Sequence, residues 1–441
     1  MDTGATAWML AAASLVLLMT PGLALFYGGM SRSKSVLNMM MMSFGAMGVV
    51  GLVYVLWGWS MSFGGTNVAG IVGNPFQHFA LAGVIYGPGG EFALNANNYP
   101  VIVDVAFQVT FAIITVALIS GAIADRARFS TWMVFTAIWV TLVYFPMAHM
   151  VWNKGLLSPD GPFGGIAAPI DFAGGTVVHI NAGMAGLVLA LIIGRRRGFA
   201  AVPMKPHNLP LTMLGAGLLW FGWFGFNAGS AFGANGTAGL AWVNTTSATA
   251  AAMLGWLLTE KIRDGHATSL GAASGVVAGL VAITPAAGAL SPGGAIILGL
   301  AAGALCALAV GLKYRFGYDD SLDVVGVHLV GGLVGTVAIG FLSTTTGVFY
   351  GGGFAQLLVQ VIIAVAAVIF SGVMTTIIGL ALKAAMGWRV REEVEVVGID
   401  QFEHGESAYE GITAGRFATE ASVGAARTNP EAARTTTEAN A

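Results

Sequence analysis

DFAGGTVVHINAGMAGLVLALIIG, residues 171–194, is a helix-length apolar run that carries one histidine, His179. About 20 such residues cross the hydrocarbon core of a bilayer as a helix. An ionisable side chain held at that depth is costly unless it is paired or lines a polar path, so it marks a candidate functional site. The same figure returns in VHLVGGLVGTV, residues 327–337. His328 precedes Gly332 and Gly335 just as His179 precedes Gly183 and Gly186, each as His-x3-Gly-x2-Gly with a valine before the histidine. One membrane histidine is as readily a packing group bonded to a neighbouring helix; two equivalent copies favour a shared function.

Composition defines the solvent. The 441 residues are 56% hydrophobic and 9% charged, with mean hydropathy +0.78, and apolar runs of spanning length recur along the chain. Within lipid only helices and closed barrels satisfy their backbone groups, and these runs are too long and too uniformly apolar for alternating barrel strands. An all-α polytopic membrane protein is predicted. The 64 glycines suit close helix packing where lipid supplies no hydrophobic drive. The single cysteine, Cys306, excludes disulfides within the chain, and a net charge of -2 offers no footprint for nucleic acid.

Eleven spans are predicted at about 7–28, 36–62, 101–123, 130–150, 173–194, 210–232, 236–258, 269–285, 293–312, 323–343 and 354–387. The first reads as a span rather than a leader, because its first cation, Arg32, follows it. Cations concentrate in the odd-numbered gaps, among them Arg32, Arg126, Arg195, Arg196, Arg197 and Lys313, whereas the even-numbered gaps hold Lys154 alone. The positive-inside rule then places the N-terminus outside and the C-terminus in the cytoplasm. The histidines fall in spans five and ten, so two five-helix repeats, about 7–194 and 210–343, are predicted with opposite orientation. Repeats of that kind place a substrate path at their interface near the midplane. The long eleventh helix, about 354–387, lies outside the pair. The membrane domain covers 1–387; a cytoplasmic tail, 388–441, follows, with a disordered end at about 410–441.

Groups at helical spacing are candidates to face that path. Phe107 and Phe111 share one face of span three, and Trp223, Phe226 and Ser230 share one of span six. Such pairs usually signify packing, but aromatic faces also attract cations. Trp152 has the position of an interfacial anchor. His207, in KPHNLP, reads as a solvated loop residue, and His78 and Glu91 in loop 63–100 as surface groups. No phosphate loop, metal cluster or nucleophile–base–acid set occurs, so neither an enzyme nor a cofactor is predicted.

DFAGGTVVHINAGMAGLV, YFPMAHMVW (144–152), KPHNLP (205–210), WFGFNAGSA (223–231), GAASGVVAGLVAITPAAG (271–288) and DVVGVHLVGGLVG (323–335) resemble consecutive blocks of the ammonium transporter (Amt/Mep/Rh) family, in its bacterial and archaeal Amt branch. The resemblance covers about residues 7–409. It implies a homotrimer of eleven-span subunits in the plasma membrane, each with its own pore for ammonium or ammonia and possible use of methylammonium. By position it implies Trp152, Phe111 and Ser230 as the external recruitment site, Phe111 and Phe226 as gate rings, and His179 and His328 as twin pore histidines. Trp223 corresponds to the pore wall and Phe107 to the ring beside the gate. Asp171 corresponds to a support of the external site, although helix capping is the preferred role on its own local sequence. Ser274 is a further pore neighbour. Segment 397–409, VGIDQFEHGESAY, resembles the cytoplasmic tail that receives a PII-type signalling protein.

The chemistry can be argued apart from the name. Ammonium and potassium are similar in size, but only ammonium can release a proton. A dry lumen penalises any charge and far less a neutral base, and two touching imidazoles offer a donor and an acceptor while sharing one proton. The expected function is recruitment of ammonium, deprotonation near the rings and conduction of ammonia, with or without the separated proton. The alternatives are an ammonium sensor and an Rh-like neutral gas channel. A carrier of amino acids or larger organic cations would need charged or amide groups at the midplane, and none faces the proposed path.

Overall fold

The computed structural model describes residues 1–409; the end expected to be disordered, 410–441, lies outside the described residues. Eleven long helices are seen among them: α1 Thr3–Met30, α2 Val36–Phe63, α3 Val101–Ile123, α4 Phe129–Trp152, α5 Gly175–Ile193, α6 Leu209–Gly229, α7 Gly236–Asp264, α8 Ser269–Ala286, α9 Pro292–Phe316, α10 Val325–Leu342 and α11 Ala355–Ala385. Ten are long and apolar enough to cross a membrane. The exception is α7, whose middle carries Asn244, Thr245, Thr246 and Thr249. Two of these side chains find partners inside the bundle: Asn244 Nδ2 donates to the carbonyls of Ala287 (2.9 Å) and Leu290 (2.8 Å), and Thr245 Oγ1 accepts from Asn227 Nδ2 at 2.9 Å. Such pairing is what allows polar side chains in a membrane bundle.

The structure extends α1 four residues earlier than expected and α7 to Asp264, and ends α11 at Ala385. Lengthening of α1 follows from Asp2, whose carboxylate accepts from the Ala5 amide and caps the helix.

Helices α5 and α10 cross at the centre through their glycines. A Cβ on Gly183 would lie 2.4 Å from Leu329 N, and one on Gly332 would lie 3.1 Å from His179 Cβ and 3.2 Å from Ile180 N. The glycine four residues past each histidine thus packs on the residue just after the other histidine. As numbering rises on one helix it falls on the other, so the two run antiparallel about an approximate twofold axis. The relation extends outward, because Gly186 packs on Ala122 of α3 and Gly335 on Ala282 of α8. Helix α11 braces both histidine helices: Ser371 Oγ donates to Asn181 O of α5 at 2.8 Å, and Gln360 Nε2 to Thr336 O of α10 at 3.1 Å.

At the end of the bundle that bears the odd-numbered gaps, a buried ion cluster ties four of them together. Arg196 meets Asp319 at 2.8 Å and Asp125 at 3.1 Å, and Arg32 reaches Asp125 at 3.3 Å. Burial alone would raise the Asp319 carboxyl, but the hydrogen bonds and charge of Arg196 with the charge of Arg126 hold it below its ordinary range. Burial lowers the neighbouring Arg126 guanidinium to about 10. The tail folds back onto this face as α12 Glu392–Val397 and α13 Ile399–Glu403. Asp400 accepts from the amides of Leu37 (3.0 Å) and Asn38 (2.8 Å), capping α2 from a distant part of the chain. His207, read as solvated, is instead half-buried: Nδ1 lies 2.9 Å from Ser31 O and Nε2 2.8 Å from Tyr409 Oη. The returning tail covers it, and nothing local to KPHNLP encodes that cover. Glu91 is exposed and His78 half-buried in the loop between α2 and α3.

Candidate functional site

Both histidine helices begin with a widened π-helical turn, Gly175–Ile180 and Val325–Leu329, and each turn carries its histidine. Such turns are rare and concentrate at functional positions. Each helix is capped by an aspartate eight residues before its histidine. Asp171 accepts from the amides of Gly174 (2.8 Å), Gly175 (2.6 Å) and Thr176 (2.8 Å) and from the Thr176 hydroxyl. Asp320 accepts from Val324 (3.1 Å) and Val325 (2.7 Å). Asp171 therefore fills the capping role expected of it. Asp320 escaped the sequence reading, although its register to His328 repeats that of Asp171 to His179.

The caps fix the two turns, and the glycine crossing brings their imidazoles together. His179 Nδ1 and His328 Nδ1 lie 3.3 Å apart, with ring centroids at 5.4 Å and planes inclined by 21°. One ring must donate and the other accept. Both are buried, and His179 Nε2 has no hydrogen-bond partner among the described residues. Trp223 stacks on His179 at 5.5 Å and 15°, its own indole N–H held by Thr284 Oγ1 at 2.8 Å. Phe226 lies 6.2 Å from His179.

Above the histidines the rings form a lid. Phe111 and Phe226 stack at 4.1 Å and 10°, and with exposures of 1% and 0% they leave no opening between them. Phe107 meets Phe111 edge-on at 4.7 Å, and Trp152 meets Phe111 edge-on at 6.0 Å. Trp152 is half-buried, and its indole N–H donates to Asp171 O at 2.9 Å, which ties the α4 terminus to the cap of α5. Ser230, one turn after Phe226, donates to the Phe226 carbonyl at 2.8 Å, and its oxygen retains accepting capacity. The structure thus joins Trp152, Phe111, Phe107, Phe226, Trp223, His179 and His328 in one continuous set of contacts. It does not join Ser274, which is buried in α8 without a hydrogen bond or ring contact to this set.

Sequence reasoning also missed Thr284 and Phe232. Phe232 follows α6, meets Phe107 edge-on at 5.9 Å and 80°, and adopts φ +52°, a left-handed backbone for a bulky side chain. Such a conformation costs on the order of 1–3 kcal/mol and persists where the surroundings enforce it. No local sequence signal announces it.

A row of aromatic rings over a buried imidazole pair, on glycine-crossed antiparallel helices, can hold a small cation at its outer end and pass a small hydrogen-bonding solute at its inner end. Comparison with known proteins gives the family of the chain. Residues 7–409 match the model of the Ammonium Transporter Family. The chain belongs to the ammonium transporter family. It is 56% identical to an ammonium transporter of Mycobacterium tuberculosis (strain ATCC 25618 / H37Rv), over 93% of this chain and 91% of that one. The crystal structure of Saccharomyces cerevisiae Mep2 superposes with TM-score 0.80 at 33% identity, covering 89% of this chain and 88% of that one. A solved structure titled Sensor Amt Protein superposes with TM-score 0.81 at 29% identity, covering 91% and 98%. This ammonium transporter family chain is a multi-pass membrane protein of a transport family, not an enzyme.

Proposed function

We propose that the ring row recruits ammonium and the histidine pair passes it on as ammonia. Trp152, Phe111 and Ser230 form the outer cation site: ring faces attract the ion and the hydroxyl accepts one of its N–H groups. The stacked Phe111 and Phe226 exclude water and hydrated ions, so a charge moving inward loses its solvation without replacement. Near the rings the ion gives up its proton to the histidine pair, which relays it separately, and ammonia enters the space beside His179 and His328. Trp223 walls that space, and Phe107 supports the lid from the side.

The observation that carries this reading is the buried Nε2 of His179, an unpartnered hydrogen-bonding atom directly beneath a closed aromatic lid. A buried polar atom without a partner costs about 1–3 kcal/mol, and a transient N–H or lone pair from the solute would satisfy it. The shared Nδ1 proton keeps the pair neutral and leaves a relay for the released proton. A neutral gas channel would differ only in releasing that proton outside, and a sensor would use the same site without sustained flux. The complete path from Trp152 to His328 favours transport.

The reading extends to a plasma-membrane subunit with N-terminus outside and C-terminus in the cytoplasm, supported by the cations of the odd-numbered gaps. It includes a homotrimer whose tail, around 397–409, docks a PII-type protein. The test is current in proteoliposomes with ammonium, methylammonium or potassium applied in turn. Ammonium current or tracer methylammonium uptake without potassium current is expected; equal potassium and ammonium currents would refute the reading.

A further inference from the structure

Phe107 and Phe111 are fully buried, and each carries a half-buried ring edge-on at its far side: Trp152 at 6.0 Å from Phe111, and Phe232 at 5.9 Å from Phe107. The row Trp152–Phe111–Phe107–Phe232 therefore ends in a partly open aromatic ring at both sides. Phe232 reaches its place only through φ +52°, two residues beyond Ser230, with its amide tied to Gly229 O at 2.9 Å. Glycine would adopt this backbone freely. A phenylalanine kept there, yet not fully buried, adds less packing than its size allows. Its ring completes an aromatic rim.

We infer that Phe232 is a second outer wall of the cation site, a specificity-determining residue whose ring face raises the affinity for small ammonium ions. This rests on the proposed recruitment of ammonium at Trp152, Phe111 and Ser230. A cation within about 6 Å of a ring centroid gains from the ring's quadrupole. Phe232 is two residues from Ser230 and edge-on to Phe107, so its ring would border the ion on the Ser230 side of the site while the ion still carries its charge. Phe232 acts before the lid, so it governs how often the site is filled and not how fast the filled site conducts.

The experiment is concentration-dependent uptake of labelled methylammonium by the full-length protein in proteoliposomes, with thermal unfolding of the same preparations. Phe232→Gly is expected to raise the half-saturation concentration three- to tenfold with maximal rate within twofold, and to leave the thermal midpoint unchanged or higher because the backbone strain is gone. Phe232→Leu, which keeps apolar bulk without a ring, is expected to raise it similarly, and Phe232→Trp to restore it. Parent-like half-saturation in Phe232→Gly, or in Phe232→Leu, overturns the inference. Trp152→Leu separates the two levels: a shift there with none at Phe232 removes only the second wall. No shift at either position removes the recruitment site and this inference with it.

Discussion

His179 and His328 meet Nδ1 to Nδ1 at 3.3 Å, so the pair holds one proton between two nitrogens that cannot both donate. Replacing either ring leaves the other imidazole buried without its partner. His179→Ala and His328→Ala are each expected to keep the folded bundle while discrimination of ammonium against potassium falls at least tenfold, about 1.4 kcal/mol. Parallel current recordings with the two ions check this. Parent-like flux and selectivity in both variants would take the pair out of the mechanism.

Phe226 closes the path by stacking on Phe111 at 4.1 Å. In Phe226→Ala a continuous opening from the Trp152 side to His179 is expected, with a stability loss below the roughly 3–5 kcal/mol of a fully packed core phenylalanine, since one face borders the path. A density map of the variant decides it; an apolar plug that persisted there would deny Phe226 the role of gate.

Gly183 tests the crossing. A Cβ there would fall 2.4 Å from Leu329 N, whereas one on Gly217 meets nothing within 4 Å. Gly183→Ala is expected to cost about 1–3 kcal/mol through forced displacement, and Gly217→Ala to gain about 0.5–1 kcal/mol as an ordinary helix substitution. Equal thermal midpoints for the two would show that the helices do not touch here.

Asp320 lies outside the spans, and burial raises its carboxyl to about 6 despite the nearby Lys313 charge. A carboxyl with a raised folded pKa binds more protons folded than unfolded between about pH 4 and pH 6, so stability falls with rising pH in that window and is flat above it. Asp320→Asn is expected to flatten that slope in thermal unfolding followed across the window. An unchanged slope would assign it to other groups.

Asp400 joins the tail to α2 through the amides of Leu37 and Asn38. Asp400→Ala is expected to cost about 0.5–2 kcal/mol, the range of a lost helix cap, and to expose residues 391–409 to protease severalfold faster. Deletion of 397–441 is expected to abolish capture of a PII-type protein with the membrane domain still folded. Capture by the shortened protein would move the docking surface elsewhere.

Helix type, spans and the paired histidines were legible in the residues because a bilayer leaves few solutions. Apolar runs of spanning length must be helices, cations must fall between them, and a repeated buried histidine must have a reason. Asp320 was legible too, through its register to His328, and was overlooked. Partners across the bundle were not legible. That Gly332 seats His179, that Thr284 holds Trp223, that Phe232 strains to reach Phe107, and that Tyr409 covers His207 depend on helices far apart in sequence. Every lipid-compatible helix face looks alike to its own residues. Only the packed bundle, where a few glycines set the distance of closest approach, selects which faces meet.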